Sequence, residues 1–145
     1  VTHLLDVNVL IALMDRRHVF HSRAHRWFEQ AGSADWATCP TIQNGLIRIL
    51  GNPRYANHVG PPVLAATMLA TLTGLPGHRF WHDNVSLLDE TLIDRTKLAR
   101  SDQITDTYLL ALARSNGGRL ATLDSRISTA AVEGGAAALF LIPSE

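Results

Sequence analysis

Short apolar runs alternate along this chain with longer segments whose apolar residues recur at helical spacing, and that alternation constrains the fold more than any other feature. Residues 4–5, 36–39, 79–81, 119–123 and 138–142 read as strands. Between them, helical spacing is carried by Leu10, Ile11, Leu13 and Met14 in a helix starting near Val9. It recurs in Phe20, Ala24, Trp27 and Phe28 within residues 19–30, and in Ile42, Leu46, Ile49 and Leu50 within 41–50. Residues 62–73 and 104–115 read as two further helices. Asn8 and Thr41 are placed to cap their helices, and Gly32 to end one. Residues 87–99 read as a turn followed by a helix, and 125–132 as a short helix. Strands that repeatedly alternate with helices predict an α/β domain with a mostly parallel central sheet flanked by helices. At 145 residues, a single domain spanning 1–145 is expected.

Composition narrows the function classes without choosing among them. Thirteen basic residues balance thirteen acidic ones, so any nucleic-acid partner must be held by a local patch or through a metal. The single cysteine, Cys39, lacks a disulfide partner and the companions of a zinc motif, as expected in a reducing cytoplasm. The apolar run from Leu4 to Met14 is interrupted by Asp6 and Asn8 and falls short of the ~20 residues that span a bilayer. No basic segment precedes it as in a signal peptide, so a cytoplasmic protein with no membrane partner is expected.

A buried strand has no structural use for a carboxylate at its end, yet Leu4-Leu5 leads directly into Asp6. Leu120-Ala121-Thr122-Leu123 leads likewise into Asp124, and Asp106 opens the apolar helix at Thr105-Asp106-Thr107-Tyr108. Carboxylates at strand ends and helix starts can converge in the crevice where α/β sheets bind ligands. Such convergence points to a divalent cation, because hard cations prefer oxygen donors. Each acid also has a plain structural reading: Asp106 and Asp124 can cap helices, whereas Asp6 is harder to explain so, with Asn8 already in place as a cap.

The segments Leu4-Leu5-Asp6-Val7-Asn8, Ile104-Thr105-Asp106-Thr107-Tyr108 and Leu120-Ala121-Thr122-Leu123-Asp124, taken together, resemble the PIN-domain ribonucleases, and within them the VapC-type toxins of bacterial toxin–antitoxin pairs. Residues 36–50 and 77–81 share the likeness, so it covers nearly the whole chain. The resemblance implies a PIN-like three-layer fold and an endoribonuclease in which Asp6, Asp106 and Asp124 bind Mg2+ or Mn2+. It also implies a homodimer and a VapB-type antitoxin that blocks the site, often with an inserted arginine. One position departs from the family pattern. Many relatives carry glutamate where this chain has Gln43, which can offer a neutral oxygen or orient a water but cannot serve as a base. A catalytically weakened module that binds RNA or antitoxin is therefore the alternative reading.

Further candidates surround these acids. Asn8 can orient a site water instead of capping, Thr105 can bind a water or phosphate, and Asp102 and Ser101 can add oxygens to the crevice. Residues 16–26 hold the densest basic run, readable as an RNA contact or as a solvated helix face. His18, His21 and His25 share helical spacing but have no companion ligand suited to zinc. A phospho-accepting domain of the doubly wound type is disfavoured, because no acidic pair precedes the acceptor and Lys97 is the only lysine.

Overall fold

In the computed structural model, which describes residues 1–144, five strands form one sheet in the order β3-β2-β1-β4-β5. These are β1 (His3–Leu5), β2 (Trp36–Thr38), β3 (His78–Phe80), β4 (Arg119–Thr122) and β5 (Leu139–Leu141). Every neighbouring pair is parallel, with Leu4 opposite both Ala37 and Leu120, Ala37 opposite Arg79, and Ala121 opposite Phe140. The helices are α1 (Val7–Met14), α2 (His21–Gln30), α3 (Pro40–Leu50), α4 (Pro62–Thr73), α5 (Ile104–Ser115) and the short α6 (Gly135–Ala138). The mostly parallel α/β expectation is thus met by a wholly parallel sheet, since each crossover is long enough to return the chain in the same direction.

Burial explains why the central strands are so apolar. Leu4, Leu5, Ala37, Leu120 and Ala121 are fully buried, so both faces of β1, β2 and β4 are covered. Helix α1 buries Val9, Leu10, Ile11 and Ala12 in succession, and α5 buries Leu109 through Ala113. Both helices are enclosed on nearly all sides, unlike α2, which buries only Ala24 and Trp27. Each fully buried leucine contributes about 1.5–3 kcal/mol of transfer free energy.

Local chemistry overturns several sequence expectations. Asn8 does not cap α1: Asp6 occupies the N-cap position, and the Asn8 side chain bonds to Asp6, Thr122 and Leu123 instead. Thr41 does not cap α3, because Pro40 starts the helix one residue earlier and Thr41 donates to Asp83. The second helix begins at His21 instead of residue 19, after a turn in which His18 accepts the Phe20 amide. Gly32 is not a left-handed cap; it lies where a Cβ would come within 2.6 Å of the Trp27 ring. Gly77 does require its glycine, having φ of +95° at the entry to β3.

The two helices expected over 87–99 and 125–132 are absent among the described residues, apart from a single 3-10 turn at Arg95–Lys97. Asp89 and Asp94 each accept the backbone and hydroxyl of the threonine two residues on, Thr91 and Thr96. Those local bonds compete with a helical ladder. The two segments brace each other through an antiparallel bridge between the buried Ile93 and Val132, with Asp94 N–H to Ala131 O at 2.9 Å and Glu133 N–H to Leu92 O at 3.0 Å. No helix among the described residues is long and apolar enough to cross a membrane.

Candidate active site

The sheet order reverses between β1 and β4: the chain leaves β1 towards β2 on one side and later returns to β4 on the other. Such a switch point opens a crevice at the carboxyl ends of the two strands. Asp6 follows β1 there, Thr122 ends β4, and Asp124 lies two residues beyond. The Asp6 amide extends the ladder by donating to Ala121 O at 3.0 Å, which fixes the residue in line with the sheet.

Asp6 is only 6% exposed. Its Oδ2 accepts from Thr122 Oγ1 at 2.8 Å and from Asn8 Nδ2 at 3.3 Å, and the Val7 amide also favours its charged form. Thr122 is fully committed: its hydroxyl donates to Asp6 and accepts from Asn8 Nδ2 and from the Asp124 amide, both at 3.1 Å. Asn8 Oδ1 in turn takes the Leu123 amide at 3.1 Å. A small network thus ties the start of α1 to the end of β4.

Electrostatics bring the three acids together. Burial pushes the Asp6 carboxyl up to about 6; the Thr122 bond opposes the rise, and the charges of Asp106 and Asp124 add to it. Asp106, half-buried at the start of α5, is also raised, by burial first and then by Asp124 and Asp102. Asp124 is lowered instead, because its Oδ1 accepts the Arg126 amide at 2.9 Å and pairs with Arg126 Nε at 3.1 Å.

Geometry separates them in part. Asp6 and Asp106 line one cavity of about 470 Å³, together with Thr105, Asn44, Gly45 and Arg48. Asp124 instead lines a neighbouring cleft with Asn8 and Arg126. Among the described residues, no group of three or more His, Cys, Asp or Glu side chains stands ready to hold a metal ion. Two carboxylates still fit magnesium or manganese, which take one or two protein carboxylates and keep waters. The Asp6 carboxylate, which opens on this cavity, is a suitable hard donor.

The remaining sequence candidates fall around this centre. Thr105 is exposed on the cavity wall, whereas Ser101 and Asp102 lie in an exposed 3-10 turn where Asp102 pairs with Arg100 at 2.6 Å. Gln43 does not line the cavity; its Nε2 donates to Thr38 Oγ1 at 3.0 Å, and Thr38 Oγ1 lies 2.7 Å from His78 Nε2. Lys97 pairs with Asp94 at 3.8 Å. Two residues were not singled out from sequence. Arg48 reaches the cavity from α3, signalled only by its helical spacing from Asn44. Asp83 takes Thr41 N–H and Oγ1 at 3.0 and 2.9 Å and Tyr108 Oη at 2.9 Å, linking α3 to α5, and nothing in its loop sequence marks it. Burial pushes the Cys39 thiol up to about 12, which leaves it protonated and unsuited to nucleophilic work.

Comparison with known proteins places this geometry in context. A family model described as PIN domain matches residues 3–133. Ribonuclease VapC44 of Mycobacterium tuberculosis is 45% identical over 131 residues, covering 90% of this chain and 92% of its own length. Ribonuclease VapC39 of the same organism is 43% identical over 133 residues, covering 92% and 96%. The crystal structure of Mycobacterium tuberculosis VapC20, described as a Sarcin-Ricin loop cleaving toxin, superposes with a TM-score of 0.63 at 19% identity. That likeness covers 88% of this chain and 94% of the other, and it shows a shared fold.

Proposed function

This chain belongs to the PIN-domain family, and from that premise we propose that it is a magnesium- or manganese-dependent endoribonuclease, a toxin of the VapC kind. The observation that carries the reading is Asp6, a buried carboxylate at the sheet's switch point, with a second acid, Asp106, on the same cavity. Asp6 and Asp106 would hold the cation, and the nearby charge of Asp124 would add to its attraction. When bound, the cation offsets the clustered negative charge and stabilises charge developing on a scissile phosphate.

The protein's own groups supply the rest. Thr122 and Asn8 fix Asp6 Oδ2, so that Oδ1 keeps a constant direction. Asp106, on the wall of the same cavity, orients an attacking water at its carboxylate, and the water's proton passes to solvent. The water oxygen bonds to phosphorus, one bridging P–O bond breaks, and the leaving oxygen takes a proton from solvent. Thr105 and Arg48 border the space where the phosphate sits and can donate to it.

A VapB-type antitoxin silences such a site when its arginine pairs with Asp6 and Asp106, because a guanidinium replaces the cation as their counter-charge. The working form is a homodimer acting in the cytoplasm. Incubating RNA with the free protein and Mg2+ or Mn2+ tests the proposal: cutting is expected, and Asp6→Asn is expected to abolish it. Metal-dependent cutting that persists unchanged in Asp6→Asn removes Asp6 from the centre. The alternative of a weakened binding module rests on Gln43 alone and is not favoured by relatives that are named ribonucleases.

A further inference from the structure

Asp124 faces a second cleft, of about 370 Å³, between the turn that follows α1 and the turn that follows β4; His18, Phe20 and Arg126 are among its walls. Phe20 is 40% exposed here, beside Val19 at 82%. The ring stands on the wall of a cleft that also carries the His18 imidazole and the Arg126 guanidinium.

The ring is held in place. The Arg23 guanidinium lies 5.6 Å from its centroid, and Arg23 is itself anchored by the carbonyls of Ile142 and Pro143. The His18 ring lies 5.9 Å from it at a tilt of 44°. His18 Nδ1 accepts the Phe20 amide at 3.0 Å, so in the neutral imidazole the donor is Nε2–H. The turn carrying both rings is pinned from beneath by Asp15, which is 7% exposed and takes Tyr55 Oη at 2.5 Å, Asn57 Nδ2 at 3.0 Å and Arg17 N–H at 2.9 Å. This platform is preorganised, so little entropy is lost when a ligand docks on it.

Charge selects the ligand. Among the described residues, Asp124 is the one carboxylate on this wall, and it is already paired with Arg126, whose side chain is 86% exposed. An aromatic face flanked by cations and a ring N–H donor matches a nucleobase attached to a phosphate chain. An apolar peptide would use Phe20 but offer no acceptor to His18 and no anion to the exposed Arg126 side chain.

We propose that this cleft receives one unstacked nucleobase of the RNA strand beside the phosphate held at Asp6 and Asp106. The base stacks on Phe20, His18 Nε2–H donates to its edge, and Arg126 meets the adjoining phosphate. The inference rests on the nuclease reading above. Because Asn8, another wall residue, spends its side chain on Asp6, Thr122 and Leu123, base discrimination falls to His18, Phe20 and the Ser125 hydroxyl.

The test is fluorescence anisotropy with a labelled single-stranded oligoribonucleotide, using Asp6→Asn as the common background so that the strand is not cut. Adding Phe20→Ala is expected to weaken binding roughly tenfold, the loss of one base stack, while Phe20→Trp retains it. An abasic strand is expected to bind all three proteins equally. Unchanged binding by Phe20→Ala, or an equal loss on the abasic strand, overturns the base site. So does a Phe20→Ala protein that loses an antitoxin peptide but keeps RNA. Cleavage by the unsubstituted protein with manganese is measured in parallel. If it cuts RNA while Phe20→Ala binds normally, the base site falls and the nuclease reading stands; if it neither binds nor cuts, both fall.

Discussion

Thr122 donates its hydroxyl hydrogen to Asp6 Oδ2 across 2.8 Å, and it has no freedom to do otherwise, because Asn8 and the Asp124 amide occupy its acceptor positions. Replacing it with valine leaves three partners short at once. Thr122→Val is expected to destabilise the protein by about 1–3 kcal/mol in urea denaturation, since a buried acceptor and two donors lose their bond. It also raises the Asp6 pKa further, because the lost bond favoured the charged form. Thr122→Ser is expected to restore both.

Asp6 gives the metal-free protein a distinctive pH dependence. Its folded pKa of about 6 exceeds the reference value of 3.8, so the folded state takes up this proton before the unfolded chain does as pH falls. The Asp6 contribution therefore penalises the fold above pH 6 and relaxes between about 6 and 4, by about 3 kcal/mol in all. Asp15 and Asp35, whose pKa values are lowered, change in the opposite sense, with stability lost on acidification. The difference between wild type and Asp6→Asn isolates the Asp6 share. In chelator, thermal melts are expected to show Asp6→Asn more stable than wild type at pH 7.5, with the gap closing by pH 4.

A divalent cation held as proposed would act on the same carboxylate. Manganese in large excess over its dissociation constant is expected to raise the wild-type melting temperature, each hundredfold excess contributing about 2.7 kcal/mol. Asp6→Asn is expected to respond weakly or not at all. An equal shift in both proteins places the cation elsewhere.

Arg126 competes with that cation for Asp124. Arg126→Gln removes an exposed ion pair, so manganese affinity measured by calorimetry is expected to tighten by at most about fivefold. A fall in affinity shows instead that Arg126 supports the site.

Gln43 sets the direction of a hydrogen-bond chain. Its amide donates to Thr38, leaving the Thr38 hydroxyl to donate to His78 Nε2, which suits a neutral imidazole whose pKa burial lowers. A carboxylate at position 43 can only accept, which turns the Thr38 hydroxyl around and asks His78 Nε2 to donate. Gln43→Glu is therefore expected to raise the His78 pKa, visible in its ring nitrogen shifts by NMR, and to strengthen manganese binding if the new charge reaches the centre.

The parallel sheet was legible because Leu4-Leu5 and Leu120-Ala121 are apolar on both faces, a pattern that only covered strands require. The acids were legible because Asp6 and Asp124 end such runs, where burial makes a carboxylate costly. What was hidden is chemistry set by partners far along the chain. Asn8 looks like a cap until Thr122 arrives beside it, 114 residues away in sequence. Residues 87–99 look helical by apolar spacing, but Asp89 and Asp94 spend their oxygens on threonines two residues on. Phe20 shares the helical spacing of Ala24, Trp27 and Phe28, and that spacing does not report that its turn ends before the helix begins.

The Asp83 carboxylate bridges Thr41 on α3 and Tyr108 on α5, helices whose neighbouring residues wall the cavity that Asp6 enters. It works as a caliper, holding the jaws of the crevice at one gauge from a loop that never touches the acids. The mouth of the cavity is therefore braced by a side chain that does not line it, as a strut outside a doorway keeps the frame square.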